Sequence, residues 1–221
     1  MPRRTEPVIE FVGLPGAGKS TITRALPASW PTSRNTDPPA LPLDRRLGFY
    51  RDALPFMLSL RPLAVEDASR LARLAAELRF YERAAAGPLV IDQGMIQKLW
   101  SILHGRRRHN ASALQRLVAA LAPSAPDLIV CLGTPPELAA QRLVSRNGGN
   151  SRLQKLPPAE MRQGLESGQD LYAMLMDLYR HHSASRVLEL SGTDPVAESA
   201  ARVMAVVAEL RGGTGRQQGM L

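Results

Sequence analysis

Residues Gly13 to Ser20 read Gly-Leu-Pro-Gly-Ala-Gly-Lys-Ser and follow directly on the apolar run Val8-Ile9-Glu10-Phe11-Val12. This G-x-x-x-x-G-K-[ST] spacing, set between a strand-like run and the helix-compatible Ser-Thr-Ile-Thr-Arg-Ala-Leu, constrains the chain more than any other feature. Glycines at 13, 16 and 18 let the backbone turn tightly enough for several N–H groups to converge on an anion, and the following helix adds the positive end of its dipole. The reading is a nucleotide cradle made by Gly13, Pro15, Gly16, Ala17, Gly18, Lys19, Ser20 and Thr21. Lys19 is expected to reach the β- and γ-phosphates of ATP. The Ser20 hydroxyl is expected to ligate the Mg2+ that bridges them.

Composition narrows the rest. A chain of 221 residues with 44% hydrophobic and 22% charged residues fits one α/β domain over residues 1–211, followed by a disordered tail at 212–221. No apolar run approaches the roughly 18 residues of a membrane span, and the first strand follows Met-Pro-Arg-Arg-Thr-Glu-Pro too closely for a signal peptide. Membranes are therefore not expected as partners, and the cytoplasm is the expected location. The net charge of +8 points to anionic partners. The densest basic run, Arg106-Arg107-Arg108-His109, lacks interleaved aromatics and reads as a solvated surface, so nucleic acid is not the expected partner. The lone Cys131 lies inside an apolar run and reads as a buried, inert thiol.

Along the chain, Val8–Val12, Leu89–Asp92, Leu128–Leu132 and Arg186–Leu190 read as strands. Helices are expected at 19–26, 44–58, 63–86, 95–104 and 111–121, then from Glu137, at 158–182 and at 195–210. In the helix at 63–86, Ala68, Leu71, Ala75 and Leu78 form the core-facing stripe. Pro27 to Pro42 holds five prolines and should be irregular. Asn147 to Arg152 is a glycine-bearing break of the kind that lets a lid, at about 142–157, move. Glu10 interrupts a strand buried on both faces. It needs a partner such as an internal arginine, or a place at the sheet's open end with a role towards the second substrate.

Two features go beyond the cradle. Asp92 ends an apolar strand, where ligands gather in open parallel sheets, and suits a magnesium ligand or an acceptor of a hydroxyl proton. Arg142, Arg146 and Arg152, with Lys155 beyond, are placed to bring guanidinium groups onto a transferring phosphoryl group.

With those residues in view, the chain from Val8 to Leu210 resembles the thymidylate-kinase-like branch of P-loop kinases, near the nucleoside monophosphate kinases. Gly13 to Thr21 stands where that family binds ATP, and Gly87-Pro88-Leu89-Val90-Ile91-Asp92 is similar to the strand leading into its Asp-Arg motif. Pro126 to Ala139 is similar to its fourth strand and lid helix, which would map the lid arginines to Arg142 and Arg146. The resemblance implies a P-loop NTPase three-layer sandwich: a parallel sheet of about five strands, helices on both faces and a small helical lid. The acceptor side departs from it. Gln93-Gly94 follows Asp92 where the family has arginine, Pro15 replaces an acid within the loop, and the proline-rich stretch replaces the acceptor-binding turn.

The expected activity is transfer of the γ-phosphoryl of Mg-ATP to a hydroxyl or phosphate of a small molecule: a nucleoside, a nucleotide or a specialised metabolite. Arg70 or Arg73 could compensate for the missing arginine. A nucleotide-binding regulatory protein with little phosphotransfer and a polynucleotide 5′-hydroxyl kinase stay open as alternatives, as does a homodimer.

Overall fold

The computed structural model describes residues 6–33, 40–60, 65–81, 87–106, 109–146 and 151–218. Among these residues the aliphatic runs form four strands: β1 (Val8–Gly13), β2 (Leu89–Ile91), β3 (Leu128–Gly133) and β4 (Arg186–Ser191). All are parallel, in the order β2-β1-β3-β4. Every residue of β1 and β2 is buried, as parallel strands covered on both faces require. Ile91 pairs with Glu10 and Leu132 with Gly13. The phosphate loop, Asp92 and Thr134 therefore all leave the sheet at its carboxyl edge, where open α/β sheets bind ligands.

The fifth strand position is held by a single parallel bridge, Thr32 to Val90, on the outer side of β2. Val90 N–H donates to the Pro31 carbonyl and Ser33 N–H to the Val90 carbonyl, each at 2.9 Å. Pro31 has no N–H to extend that ladder towards its start, and among the described residues of the segment the contact is a single bridge at the sheet edge. Pro38 and Pro39 lie outside the described residues.

Among the described residues eight α-helices surround the sheet: α1 (Lys19–Ala25), α2 (Leu43–Ser59), α3 (Val65–Tyr81), α4 (Met95–Leu103), α5 (Ala111–Leu121), α6 (Pro136–Val144), α7 (Pro158–His182) and α8 (Val196–Gln218). α1 is one of the shortest because Pro27 cannot continue it. Asn110 caps α5, its Oδ1 accepting from Ala113 N–H at 2.9 Å, and prolines open α6 and α7, where a missing N–H costs nothing. α1 packs on α8, α2 on α5, α3 on α4, and α7 against α4, α5 and α6. The closing helix passes its expected end near Leu210 and reaches Gln218; residues 219–221 lie outside the described residues, as do 82–86 of the helix expected at 63–86.

One position of the core stripe is corrected. On α3, Leu71, Leu74, Ala75 and Leu78 are buried, but Ala68 is exposed and the neighbouring Asp67 is buried instead. Asp67 accepts from Arg70 at 3.0 Å and also pairs with Arg106, and those two guanidinium groups offset the desolvation of its carboxylate. Arg106 is thereby a partner of a buried acid, not a member of a freely solvated run; Arg107 and Arg108 lie outside the described residues. Cys131 is half-buried on β3, and burial pushes its thiol up to about 12, consistent with an inert group. Among the described residues no helix is long and apolar enough to cross a membrane.

Candidate functional site

The loop between β1 and α1 has the backbone its glycines allow. Gly16 and Gly18 have φ of 84° and 103°, the left-handed region that favours glycine, and a Cβ on Gly16 would run into the backbone of Ala139 on α6. α6 can therefore lie directly against the loop. Ala17, at the bend, is buried, and its carbonyl accepts from Thr134 Oγ1 and Arg142 Nη1, both at 3.3 Å.

Residues Pro15 to Thr21 line a cavity of about 1390 Å³. Gly13 is not on its wall; its carbonyl, with that of Leu14, accepts from Lys19 Nζ at 2.6 and 3.0 Å. Burial lowers the Lys19 ammonium to about 8, the Asp92 carboxylate working against that shift and the Arg146 guanidinium adding to it. Lys19 is thus held on loop carbonyls and sensitive to charge placed before it. Asp92 follows β2, is almost fully buried and lies 3.3 Å from the Ser20 hydroxyl, which donates to it. The two residues singled out for a metal ion are therefore brought together on one wall. Among the described residues no group of three or more His, Cys, Asp or Glu could hold a metal by itself.

All three predicted arginines line the cavity, but at different places. Arg142 sits in α6 and bridges two segments: Nη1 donates to Ala17 O and Nη2 to Gly192 O at 2.9 Å, tying the phosphate loop to the turn between β4 and α8. Arg146 lies two residues past the end of α6, exposed, so the two do not share one continuous helix as expected. Arg146 is the arginine whose charge reaches Lys19. Arg152 is on the opposite wall, donating from Nη2 to the Ser101 carbonyl and hydroxyl of α4 at 3.0 and 3.4 Å. Lys155 is not on the cavity wall, and Asn147 to Asn150 lie outside the described residues.

Glu10 has neither the arginine partner nor the open-end position that the sequence suggested. It is fully buried and accepts from Tyr81 Oη at 2.6 Å, from Ile96 N–H at 2.8 Å and from Gln97 N–H at 3.4 Å. The first turn of α4 thus supplies orphan N–H groups to a carboxylate at the positive end of the helix. Burial nevertheless raises Glu10 to about 7, the hydrogen bonds only partly opposing it. Gly94 is required here, because a Cβ would overlap the Tyr81 hydroxyl and the Glu10 carboxyl.

From that anchor α4 turns polar positions to the cavity: Gln97, Ser101 and His104, at helical spacings of four and three. Trp100 stacks on Tyr172 at 5.1 Å and on His104 at 4.4 Å, and its indole N–H donates to Gly168 O at 2.8 Å, pinning α4 to α7. These α4 residues were not singled out from the sequence. Their i, i+4, i+7 polar spacing along a segment that is apolar elsewhere except at Lys98 was the available signal. Thr134 and the turn carrying Gly192 and Asp194 had none, since they join the site only through tertiary contact.

No protein family and no curated protein matches this chain. Solved structures do. A shikimate kinase from Acinetobacter baumannii in complex with shikimate aligns over 93% of this chain and 95% of that one, at 19% identity and a TM-score of 0.50. A deoxyadenosine kinase from M. mycoides with bound dATP aligns over 91% and 99%, at 12% identity and a TM-score of 0.54. At such identity the likeness shows the fold: a three-layer α/β P-loop fold, its parallel sheet covered by helices.

Proposed function

We propose that this chain is a cytoplasmic ATP-dependent small-molecule kinase, one P-loop domain over residues 1–211, related to the thymidylate-kinase-like branch but altered on its acceptor side. The observation that carries the reading is the meeting of the phosphate loop, Ser20 and Asp92 on one wall of a cavity of about 1390 Å³. Single small-molecule sites run to roughly 300–1,000 Å³, so this one has room for two ligands side by side.

ATP would lie with its phosphates on Pro15 to Thr21 and its base towards Arg142 and the Gly192 turn. Lys19 would leave the carbonyls of Gly13 and Leu14 for the β- and γ-oxygens, and Arg146 would face the transferring group. A hydroxyl oxygen of the acceptor attacks the γ-phosphorus, the bond to the β,γ-bridging oxygen breaks, and ADP leaves with that electron pair. Asp92 takes the hydroxyl proton and passes it to water. Ser20 and Asp92, a hydroxyl and a carboxylate, are hard oxygen donors that would hold Mg2+. When bound, that ion would neutralise charge on the β- and γ-oxygens.

The test is ADP formation from Mg-ATP across a panel of hydroxylated metabolites. Turnover that depends on an acceptor and vanishes in Lys19→Ala supports the reading. Tight ATP binding with no acceptor-dependent turnover anywhere in the panel would instead favour a nucleotide-binding regulator.

A further inference from the structure

The cavity is lined by eight basic side chains against three acidic ones, an excess larger than nucleotide phosphates alone account for once Mg2+ is bound. The basic groups divide between two walls. Lys19, Arg24, Arg142 and Arg146 stand on the phosphate-loop side; Arg70, Arg73, Lys98 and Arg152 stand on the side formed by α3 and α4.

On that second wall much of the charge is already matched. Lys98 pairs with Glu77 at 3.2 Å, and Arg70 shares the buried Asp67 with Arg106. Glu66 adds one acid at the rim. Arg73 and Arg152 are not matched in this way. Among the described residues, Arg73 donates to the Ser69 hydroxyl at 3.3 Å and Arg152 to the carbonyl and hydroxyl of Ser101, and neither has a carboxylate within ion-pair distance. Burial and the neighbouring charges of Arg70 and Arg106 both push the Arg152 guanidinium down, Asp67 partly opposing them. Arg73 and Arg152 are exposed and Arg70 half-buried, and like charges gathered on one cavity wall repel one another unless an anion joins them. The motif position that would otherwise supply an arginine to the acceptor holds Gln93.

We infer that the acceptor is an anion, a hydroxylated small molecule carrying a carboxylate or a phosphate monoester, and that Arg152, Arg73 and Arg70 with the Ser101 hydroxyl form the subsite for that group. Arg152 is then a specificity-determining residue on the acceptor and not a group that acts on the transferring phosphoryl. This rests on the kinase reading given above. A guanidinium matches either oxyanion with two parallel N–H donors, and a planar fork held at one end by Ser101 keeps its remaining N–H groups for the ligand.

The experiment first saturates the protein with Mg2+ and a non-hydrolysable ATP analogue, so that the phosphate loop is filled. Inorganic phosphate and acetate are then titrated separately by calorimetry at low ionic strength. Wild type should bind at least one of the two anions at a second site, and whichever binds more tightly names the group. Arg152→Gln and Arg73→Gln should each weaken that binding about tenfold or more, with the analogue's affinity and the melting temperature unchanged. Arg70→Gln, which also unpairs Asp67, is read only alongside its melting temperature. Matched acceptor pairs follow, a nucleoside against its monophosphate and a hydroxy acid against its amide. Turnover should follow the anionic member, and Arg152→Gln should raise its KM while leaving kcat nearly intact. A preference for neutral members, or anion binding indifferent to both Arg152→Gln and Arg73→Gln, overturns the inference. Failure of the ATP analogue to bind overturns the kinase reading instead and shows at the first step.

Discussion

The two walls of the cavity are built by different means. The phosphate-loop wall is mostly backbone: seven consecutive residues, Pro15 to Thr21, line it, with positive-φ glycines shaping the turn and Lys19 satisfied by carbonyls of the same loop. The opposite wall is mostly side chain and gathers distant segments, with Arg70 and Arg73 from α3, Gln97 and Ser101 from α4, and Arg152 from the segment before α7. A site made of backbone fixes charge recognition for any ligand that carries the same phosphates. A site made of side chains on several helices can change its ligand by substitution without disturbing the fold.

The comparison is broken most directly at Lys19. Lys19→Ala should cost about 10³-fold or more in turnover, the scale of losing a principal charge on a transferring phosphoryl group, while the melting temperature stays put because Lys19 bonds only to loop carbonyls. Acceptor-dependent ADP release on the folded variant measures it, and unchanged turnover would remove the phosphate loop from the chemistry. Asp92→Asn should lower turnover by about 10², the low end of general acid–base contributions, with a smaller change in ATP affinity. A magnesium titration of the same variant separates proton transfer from ion binding: a shifted magnesium midpoint assigns Asp92 to the ion.

Glu10 sharpens the comparison from beneath, since it anchors α4 and hence the second wall. Its folded value of about 7 lies above the ordinary 4.5, so the folded chain keeps a proton that the unfolded chain has released. The stability linked to that proton is complete below pH 4.5 and is lost as pH rises through about 7. The loss is on the order of 3 kcal/mol, several degrees in Tm for a chain of this size. Scanning calorimetry from about pH 5 to 8 should show this decline in wild type and a flatter profile in Glu10→Gln. Parallel profiles in the two proteins would mean that Glu10 does not titrate across this range.

The smallest expected effect belongs to Arg142. Its guanidinium is committed to the carbonyls of Ala17 and Gly192, on the side assigned to the nucleotide base. Arg142→Ala should therefore weaken ADP affinity roughly tenfold and lower kcat less, while Arg146→Ala should do the reverse. Finding kcat collapsed and ADP affinity unchanged in Arg142→Ala would place this arginine on the transferring group, as its position on the expected lid helix first suggested.

Much of this was legible in the chain. The four strands were read within a residue or so of their ends, because buried parallel strands are short, continuous aliphatic runs that little else resembles. The phosphate loop was legible because its determinants are local. Glu10 was recognised as an anomaly, but its partners were not, since Tyr81 and the N–H groups of α4 lie more than seventy residues away in sequence. Ala68 was misplaced for a related reason: helical periodicity favours the apolar residue over its acidic neighbour, whereas the guanidinium groups of Arg70 and Arg106 help to make Asp67 the one that is buried. The expectation of about five strands met its limit at Pro31, which allows a bridge beside β2 but gives no N–H to lengthen it.

What the sequence by itself determined is the parallel α/β sheet, the glycine-bent loop between β1 and α1 and the placing of Asp92 at a strand's carboxyl end, all consequences of spacing within a few residues and of side-chain hydrophobicity. What only the tertiary structure decided is which arginine faces what. Arg142, Arg146 and Arg152 lie within eleven residues of one another, yet one ties the loop to the Gly192 turn, one lies near Lys19, and one rests on α4 across the cavity. A guanidinium at the end of a long, flexible chain takes its role from the carbonyls, hydroxyls and charges that the fold brings within about 3 Å of it, and those come from every part of the chain.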